Sequence, residues 1–195
     1  MYSFIIVTIA PALAQNLQSQ PRPAAEAPAY DFGIGYVGLR MPIPDAGHVN
    51  LNGVDVNTGV DFSWRWGVQL DSNFARASNI LNLPHDAYLM SLQGGPVFYP
   101  LKHGGTRVFM HALGGLGLVD GAVSQTSTTY LHGWVTRPSY AFGGGFEHLI
   151  SGPIAIRLSG DYLRTEFFNH ADVLQPQNDL RITAGIVFTA RRSHE

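Results

Sequence analysis

The chain has 195 residues, enough for one domain of ordinary size. Only 13% of them are charged, against about 25% in an average soluble domain, while 45% are hydrophobic and 22 are glycine. A net charge of -2 gives no basic surface for nucleic acid, and the lack of cysteine excludes disulfides, thiolate nucleophiles and zinc–thiolate sites.

Phe4 to Ile9 is an apolar run, and Ala12-Leu13-Ala14 fits a small-residue cleavage site. Residues 1–14 read as an export signal. No Lys or Arg precedes the run, which fits a signal truncated at its start. The run is too short to cross a bilayer as a helix, which takes about 20 residues. Residues 15–29, with Pro21, Pro23 and Pro28 among Ala and Gln, read as a linker.

From Tyr30 the chain alternates with a period of two, the signature of strands. In the first strand Tyr30, Phe32, Ile34 and Tyr36 oppose Asp31, Gly33 and Gly35, and Pro42 and Pro44 are expected to end it. Residues 42–53 read as a loop. In the second strand Val54, Val56, Val60 and Phe62 oppose Asp55, Asn57, Gly59 and Asp61. After Ser63-Trp64-Arg65 comes the third, where Trp66, Val68, Leu70 and Phe74 oppose Gly67, Gln69, Asp71 and Asn73. A loop at 77–86 leads to a fourth strand over 87–99, in which Leu89 and Val97 break the pattern. A short connection at 100–106 precedes the fifth strand, where Val108, Met110 and Ala112 oppose Arg107 and His111.

A long loop, Asp120–Arg137, is rich in Ser, Thr and Gln. In the sixth strand Tyr140, Phe142 and Phe146 oppose Gly143, Gly145 and Glu147. After a short turn at 148–153, Ile154, Ile156, Leu158 and Tyr162 oppose Arg157, Ser159 and Asp161. A loop at 168–177 precedes the closing strand, in which Leu180, Ile182, Ala184, Ile186 and Phe188 oppose Asp179, Arg181, Thr183 and Gly185.

Eight strands with alternating long and short connections predict an all-β fold, an eight-stranded antiparallel up-and-down transmembrane β-barrel over residues 30–189. Residues 190–195 form a polar tail. The apolar face would meet lipid. The aromatics Tyr30, Phe62, Trp64, Trp66, Phe74, Tyr88, Phe98, Tyr99, Tyr140 and Tyr162 gather towards strand ends, where interfacial girdles need them. The opposite face would line a narrow interior with Asp31, Asp61, Asp71, Arg107, His111, Glu147, Arg157, Asp161 and Arg181. Buried charges must pair, so these residues predict a polar network that plugs the barrel. The competing readings are a soluble lipocalin-like barrel, with the apolar face inward around a small apolar ligand, and a narrow small-solute porin.

Residues 30–189 resemble the small bacterial outer-membrane barrels, the outer-membrane protein A-like or opacity-type porin group. The resemblance is carried by Phe142-Gly-Gly-Gly-Phe-Glu147, by Ile154-Ala-Ile-Arg-Leu158 with Asp161-Tyr-Leu-Arg164, and by Leu180-Arg-Ile-Thr-Ala-Gly-Ile-Val-Phe188. It implies a cell outer membrane location, with membrane lipid and lipopolysaccharide as surroundings. It implies insertion by the barrel-assembly machinery, with Leu180, Ile182, Ala184, Ile186 and Phe188 as the assembly signal. It also implies a structural, adhesive or small-solute role, and any extracellular partner would be reached through the loops, Asp120–Arg137 above all. In that group the final residue is typically aromatic, whereas here Phe188 is followed by seven more residues.

Gly33-Ile-Gly-Tyr-Val-Gly38 matches a dinucleotide fingerprint only as letters, because no helical pattern follows to hold a pyrophosphate. The glycines are read instead as small inward positions. The eight histidines are scattered without ligand spacing, and no serine stands out as an activated nucleophile. His111 takes the inward parity, whereas a lipid-modifying barrel enzyme would place His and Ser on the lipid-facing wall. Glu147 and Asp161 could act as an acid–base couple, but a salt-bridge network explains them with less assumption. No enzyme activity and no cofactor are expected.

Overall fold

A computed structural model describes residues 28–43, 47–78, 86–124, 130–170 and 173–191. The export signal, nearly all of the linker and the last four residues of the tail lie outside them. Eight antiparallel strands run β1 (Ala29–Ile43), β2 (Gly47–Asp61), β3 (Trp66–Ala77), β4 (Ala87–His103), β5 (Thr106–Ser124), β6 (Tyr130–Ser151), β7 (Ile154–His170) and β8 (Val173–Arg191). Each pairs with its sequence neighbours, and β1 pairs with β8 from Ala29↔Arg191 to Arg40↔Leu180, which closes the barrel. Closure leaves no free edge through the wall.

The register gives the stagger directly. Paired residues lead round the wall from Met110 through Gly144, Gly160, Ile182, Gly38, Asn52, Arg76 and Tyr88 to Asp120. The path returns to β5 ten residues beyond its start. Such a stagger tilts the strands by roughly 35–45° and leaves an eight-stranded interior just wide enough for side chains.

The strands extend further than the sequence pattern suggests. Residues 42–53 are mostly ladder, not loop, since Met41 pairs with Val49 and Ile43 with Gly47. Pro42 does not end β1. The β8 ladder stops at Arg40, so Pro42 stands on a free edge where a missing N–H costs no ladder bond. The stretch 120–137 is likewise mostly a hairpin, paired from Asp120↔Trp134 to Ser124↔Tyr130. Between 168 and 177, Phe168↔Gln175 and His170↔Val173 continue the β7–β8 ladder. At the opposite end the connections shrink to 62–65, 104–105 and 152–153. Gly104 (φ 58°) and Gly105 (φ 80°) supply the two left-handed residues that a tight two-residue hairpin requires.

Through the belt, inward positions are odd-numbered in every strand; in β4 an irregularity between Phe98 and Leu101 then shifts the parity, so that Leu101 faces out and Lys102 turns in. Asp31, Asp55, Asp71, Gln93, His111, Glu147, Asp161 and Arg181, one from each strand, are all buried. Leu89 and Val97 keep this parity rather than breaking it, and Tyr99 points into the lumen instead of joining a girdle. The even positions face out. Leu180, Ile182, Ile186 and Phe188 are 52%, 51%, 53% and 49% exposed, and exposed apolar side chains continue round all eight strands. This surface is far larger than any patch a soluble monomer leaves bare. The soluble arrangement with the apolar face inward therefore does not describe this chain.

Tilted and stacked aromatic pairs mark the two rims of the belt. Trp66–Phe98 lies towards the short-turn end (4.9 Å between centroids), and Phe74–Tyr88 towards the long-hairpin end (6.0 Å). Trp66 and Phe74 are eight residues apart on β3, about 26 Å along the strand and about 20 Å after tilting. That is close to the apolar band of about 25 Å in membrane barrels.

Ile182 sits mid-belt on β8. Ile182→Arg should cost about 2–4 kcal/mol in equilibrium unfolding from liposomes, because lipid solvates that position. Near-neutral stability in this variant would mean that water reaches the outer face.

Candidate functional site

Four cations bridge the lumen. Arg181 (β8) donates to Asp161 (β7) at 2.8 Å and reaches across to Asp71 (β3) at 2.7 Å. Arg157 (β7) donates to Glu147 (β6) at 2.8 Å and to the Asn57 carbonyl (β2) at 2.5 Å. Arg107 (β5) meets Asp31 (β1) at 3.2 Å and Asp61 (β2) at 3.4 Å, and also pairs with Glu147. Lys102 (β4) binds Asp61 at 2.9 Å, with its ammonium 3.8 Å from the centroid of the Tyr99 ring. His111 (β5) contacts the other Asp161 oxygen at 2.7 Å. Every strand contributes at least one of these side chains. The contacts join positions up to 110 residues apart.

The nine inward residues named from the sequence thus fall into two stacked networks, one around Arg107 and Arg157 and one around Arg181. Asp31, Asp61 and Arg107 gather at the short-turn mouth, Glu147 and Arg157 come next, and Asp71, His111, Asp161 and Arg181 lie at mid-barrel. Sequence parity also contained signals that went unused. Asn57 sits two residues from Asp55, and its amide donates to that carboxylate at 2.9 Å. Gln93 accepts from Arg181 at 3.5 Å and donates to the Ser139 hydroxyl at 2.7 Å. Lys102 lies in a stretch whose composition suggests a turn, and the β4 irregularity between Phe98 and Leu101 moves it to the inward face. Thr189 on β8 donates to Asp31 at 2.6 Å.

Glycine makes room for the network. A Cβ on Gly143 would collide with the Asp161 carboxylate, and one on Gly33 with the Asn57 amide. Gly33 and Gly35 do face inward in β1, but Gly38 takes the outward parity. No helix follows them, since the whole fingerprint-like stretch lies within β1.

Above the ionic layer the lumen is mostly aliphatic, with a small polar group in which Thr165 donates to Asp179 at 3.1 Å beside Gln177. Val37, Leu39, Met41, Leu51, Leu89, Leu113 and Leu163, with Ala75, Ala77 and Ala141, pack into one cluster towards the long-hairpin end. The residues come from seven strands and fill the barrel like an ordinary core. Below it, Val97, Tyr99 and Phe109 form a smaller cluster, and Arg157 stacks over Phe109 at 4.8 Å. At the short-turn mouth a polar cavity of about 680 Å³ is lined by Asp61, Lys102, Arg107 and Glu147, among others. Among the described residues, no group of three or more His, Asp or Glu is arranged to hold a metal ion.

No protein-family model matches the chain, and no curated protein does. Solved structures do match. Ail, the attachment invasion locus protein of Yersinia pestis, solved with the heparin analogue sucrose octasulfate, has a TM-score of 0.59 at 20% identity. The match covers 84% of this chain and 99% of Ail. Neisserial surface protein A gives a TM-score of 0.63 at 8% identity, over 82% of this chain and 97% of its own. The outer membrane protein OprG from Pseudomonas aeruginosa gives 0.53 at 8% identity, over 87% and 99%. The fold is that of the small outer-membrane barrels. At these identities the likeness lies in strand number, closure and pairing, not in side chains.

Arg181 is 1% exposed and holds two carboxylates from opposite walls. Arg181→Leu should therefore cost about 3–5 kcal/mol, since it strands Asp71 and Asp161 as uncompensated buried charges. Adding Asp71→Asn and Asp161→Asn to the same chain should recover at least half of the loss. Denaturant titration of the refolded barrels measures both, and equal instability of the single and triple variants would show that Arg181 acts through packing alone.

Proposed function

We propose that this chain is an outer-membrane barrel that anchors and presents its long hairpins for contact outside the cell, with a lumen closed to solutes. The observation that carries the reading is the β5–β6 hairpin. Its ladder continues from Tyr140, at the rim of the belt, to Tyr130. Ten residues of strand reach about 33 Å. An element this long beyond the belt serves no purpose in spanning the membrane, and it lifts a contact surface clear of the lipid.

The filled lumen supports an anchoring role over a conducting one. An ion entering from the short-turn mouth meets charges already paired to one another, and then a layer of aliphatic side chains. Desolvating an ion through that layer would cost many kcal/mol. The same pairing supports a non-catalytic role: His111, Glu147 and Asp161 are all engaged inside the wall. The exit of β8 at the short-turn end, with Leu180, Ile182, Ala184, Ile186 and Phe188 facing outward, supports its use as the segment that the barrel-assembly machinery reads. The leaflet at the long-hairpin end would then carry lipopolysaccharide.

Ail was solved with a heparin analogue. The hairpin over 120–137 holds a single Arg, a single Asp and several Thr and Ser residues, with Tyr130 and Trp134. Its composition favours a partner recognised by aromatic and hydroxyl contacts rather than a polyanion.

Cells that express the chain should release it with the outer-membrane fraction, and surface proteolysis should cut between β5 and β6. Deleting residues 124–130 should abolish binding of these cells to a host-cell layer and leave the heat-shifted gel mobility of the folded barrel intact. Unchanged binding would remove the adhesive role. In planar bilayers the purified barrel should show no steady single-channel steps, and a regular conductance would reinstate the porin.

A further inference from the structure

The lipid-facing wall is not smooth. Across β4, β5 and β6 an apolar depression of about 890 Å³ opens outward, walled by Trp66, Phe98, Met110 and Phe142. Its floor is Pro96, Ala112 and Gly144, all at outward parity. The floor is low for two reasons. These three side chains are small where their neighbours are tall. The β4–β5 ladder also lapses there: Gly94↔Gly114 and Val97↔His111 are paired, but the two intervening positions of β4 are not. Pro96 has no N–H to offer, and the wall thins to backbone.

We propose that this groove holds one acyl chain of a phospholipid from the leaflet at the short-turn end, which the barrel retains as a bound lipid. The inference rests on the membrane reading above. It goes further by assigning a site, a ligand class and a leaflet. The depression is continuous with the belt, so whatever solvates the belt also fills it. A gap left open would forfeit dispersion contacts along both walls. Direction follows from the ends. The groove starts at Val108, Phe98 and Trp66 beside the short turns and stops at Ala112 near mid-wall. Four residues of β5 span about 13 Å along the strand and about 10 Å after tilting, a little under half of the apolar band of about 25 Å. It is therefore one leaflet deep, with its mouth at the Trp66 rim, where a headgroup would lie. The ridges separate this chain from the bulk lipid and restrict its exchange.

The test uses the full chain, refolded into vesicles of palmitoyl-oleoyl phosphatidylethanolamine and phosphatidylglycerol, extracted in detergent and read by native mass spectrometry. One phospholipid per barrel is expected on the unaltered protein. Ala112→Phe fills the floor and should lower the retained fraction at least tenfold, the equivalent of about two methylenes leaving the groove. Val56→Phe, at an outward position on β2 away from the groove, should leave retention unchanged. No retained lipid on the unaltered chain, or equal retention in Ala112→Phe, would overturn the proposal. So would a dimer that Ala112→Phe dissociates, since the groove would then be a contact between two copies. Heat-shifted gel mobility of each variant in the vesicles keeps the two readings apart. Failure to insert at all defeats the membrane reading, whereas normal insertion with unaltered retention defeats only the groove.

Discussion

Arg181 is the constraint on which the rest of the barrel depends. A guanidinium can be held inside an eight-stranded wall only if carboxylates meet it from both sides, and Asp161 and Asp71 do so from β7 and β3. The lumen must therefore be narrow enough for one side chain to span it. It must also be staggered so that positions 110 residues apart come level. Glycine follows from the same demand. Gly143 and Gly33 are where the network's own side chains would otherwise run into a neighbouring Cβ. Ion pairs of this kind add little net stability over an apolar filling, but breaking one is costly. They act as a register lock. A slip of one residue in any strand would turn its inward charge out to lipid and its apolar neighbour into the lumen.

The two solvents divide the work between the parities. Lipid outside demands an unbroken apolar face, and the even positions supply it on every strand. The interior has more freedom, since a closed wall can enclose either paired charge or packed hydrocarbon. This chain uses both, in layers. The ion pairs lie at the short-turn end and the centre, and a mostly aliphatic layer, which also holds Asp179 against Thr165, lies towards the long hairpins. The order suits a protein whose termini and polar mouth share one side. Water can reach Lys102 and Arg107 at the mouth, while the pairs at Arg181 are shielded between the two apolar clusters.

The period-two pattern made the strand count, the closure and the lipid-facing set legible, because lipid tolerates almost no exceptions on that face. It failed in two places with clear physical causes. Leu89, Val97 and Tyr99 look like pattern errors because an apolar residue in a lumen resembles an apolar residue in lipid. Only the parity carried through from neighbouring residues separates them. Strand ends were misplaced because proline and polar residues usually signal loops. Pro42 and the segments 120–124 and 130–137 belong instead to hairpins beyond the belt, where polar composition no longer argues against a ladder. Pairings across the lumen were beyond reach. Parity says that Arg181 and Asp71 both face inward, but their meeting depends on a ten-residue stagger that no local pattern encodes.

Pro96 shows how far the wall can depart from regularity. A proline in the middle of a strand normally costs a ladder bond, and a lipid-facing wall cannot leave a backbone carbonyl bare without penalty. Here the irregularity falls between tall residues. Phe98 and Trp66 stand on one side, and Met110 and Phe142 on the other. The thinned segment is kept from water by its own ridges and by what lies between them. On the inner face Phe109 and His111 close it from the lumen, and His111 is in turn held by Asp161. This gap in the β4–β5 ladder is thus backed by the Asp161–Arg181 cluster through His111, so loosening that cluster would remove support from the seam between β4 and β5.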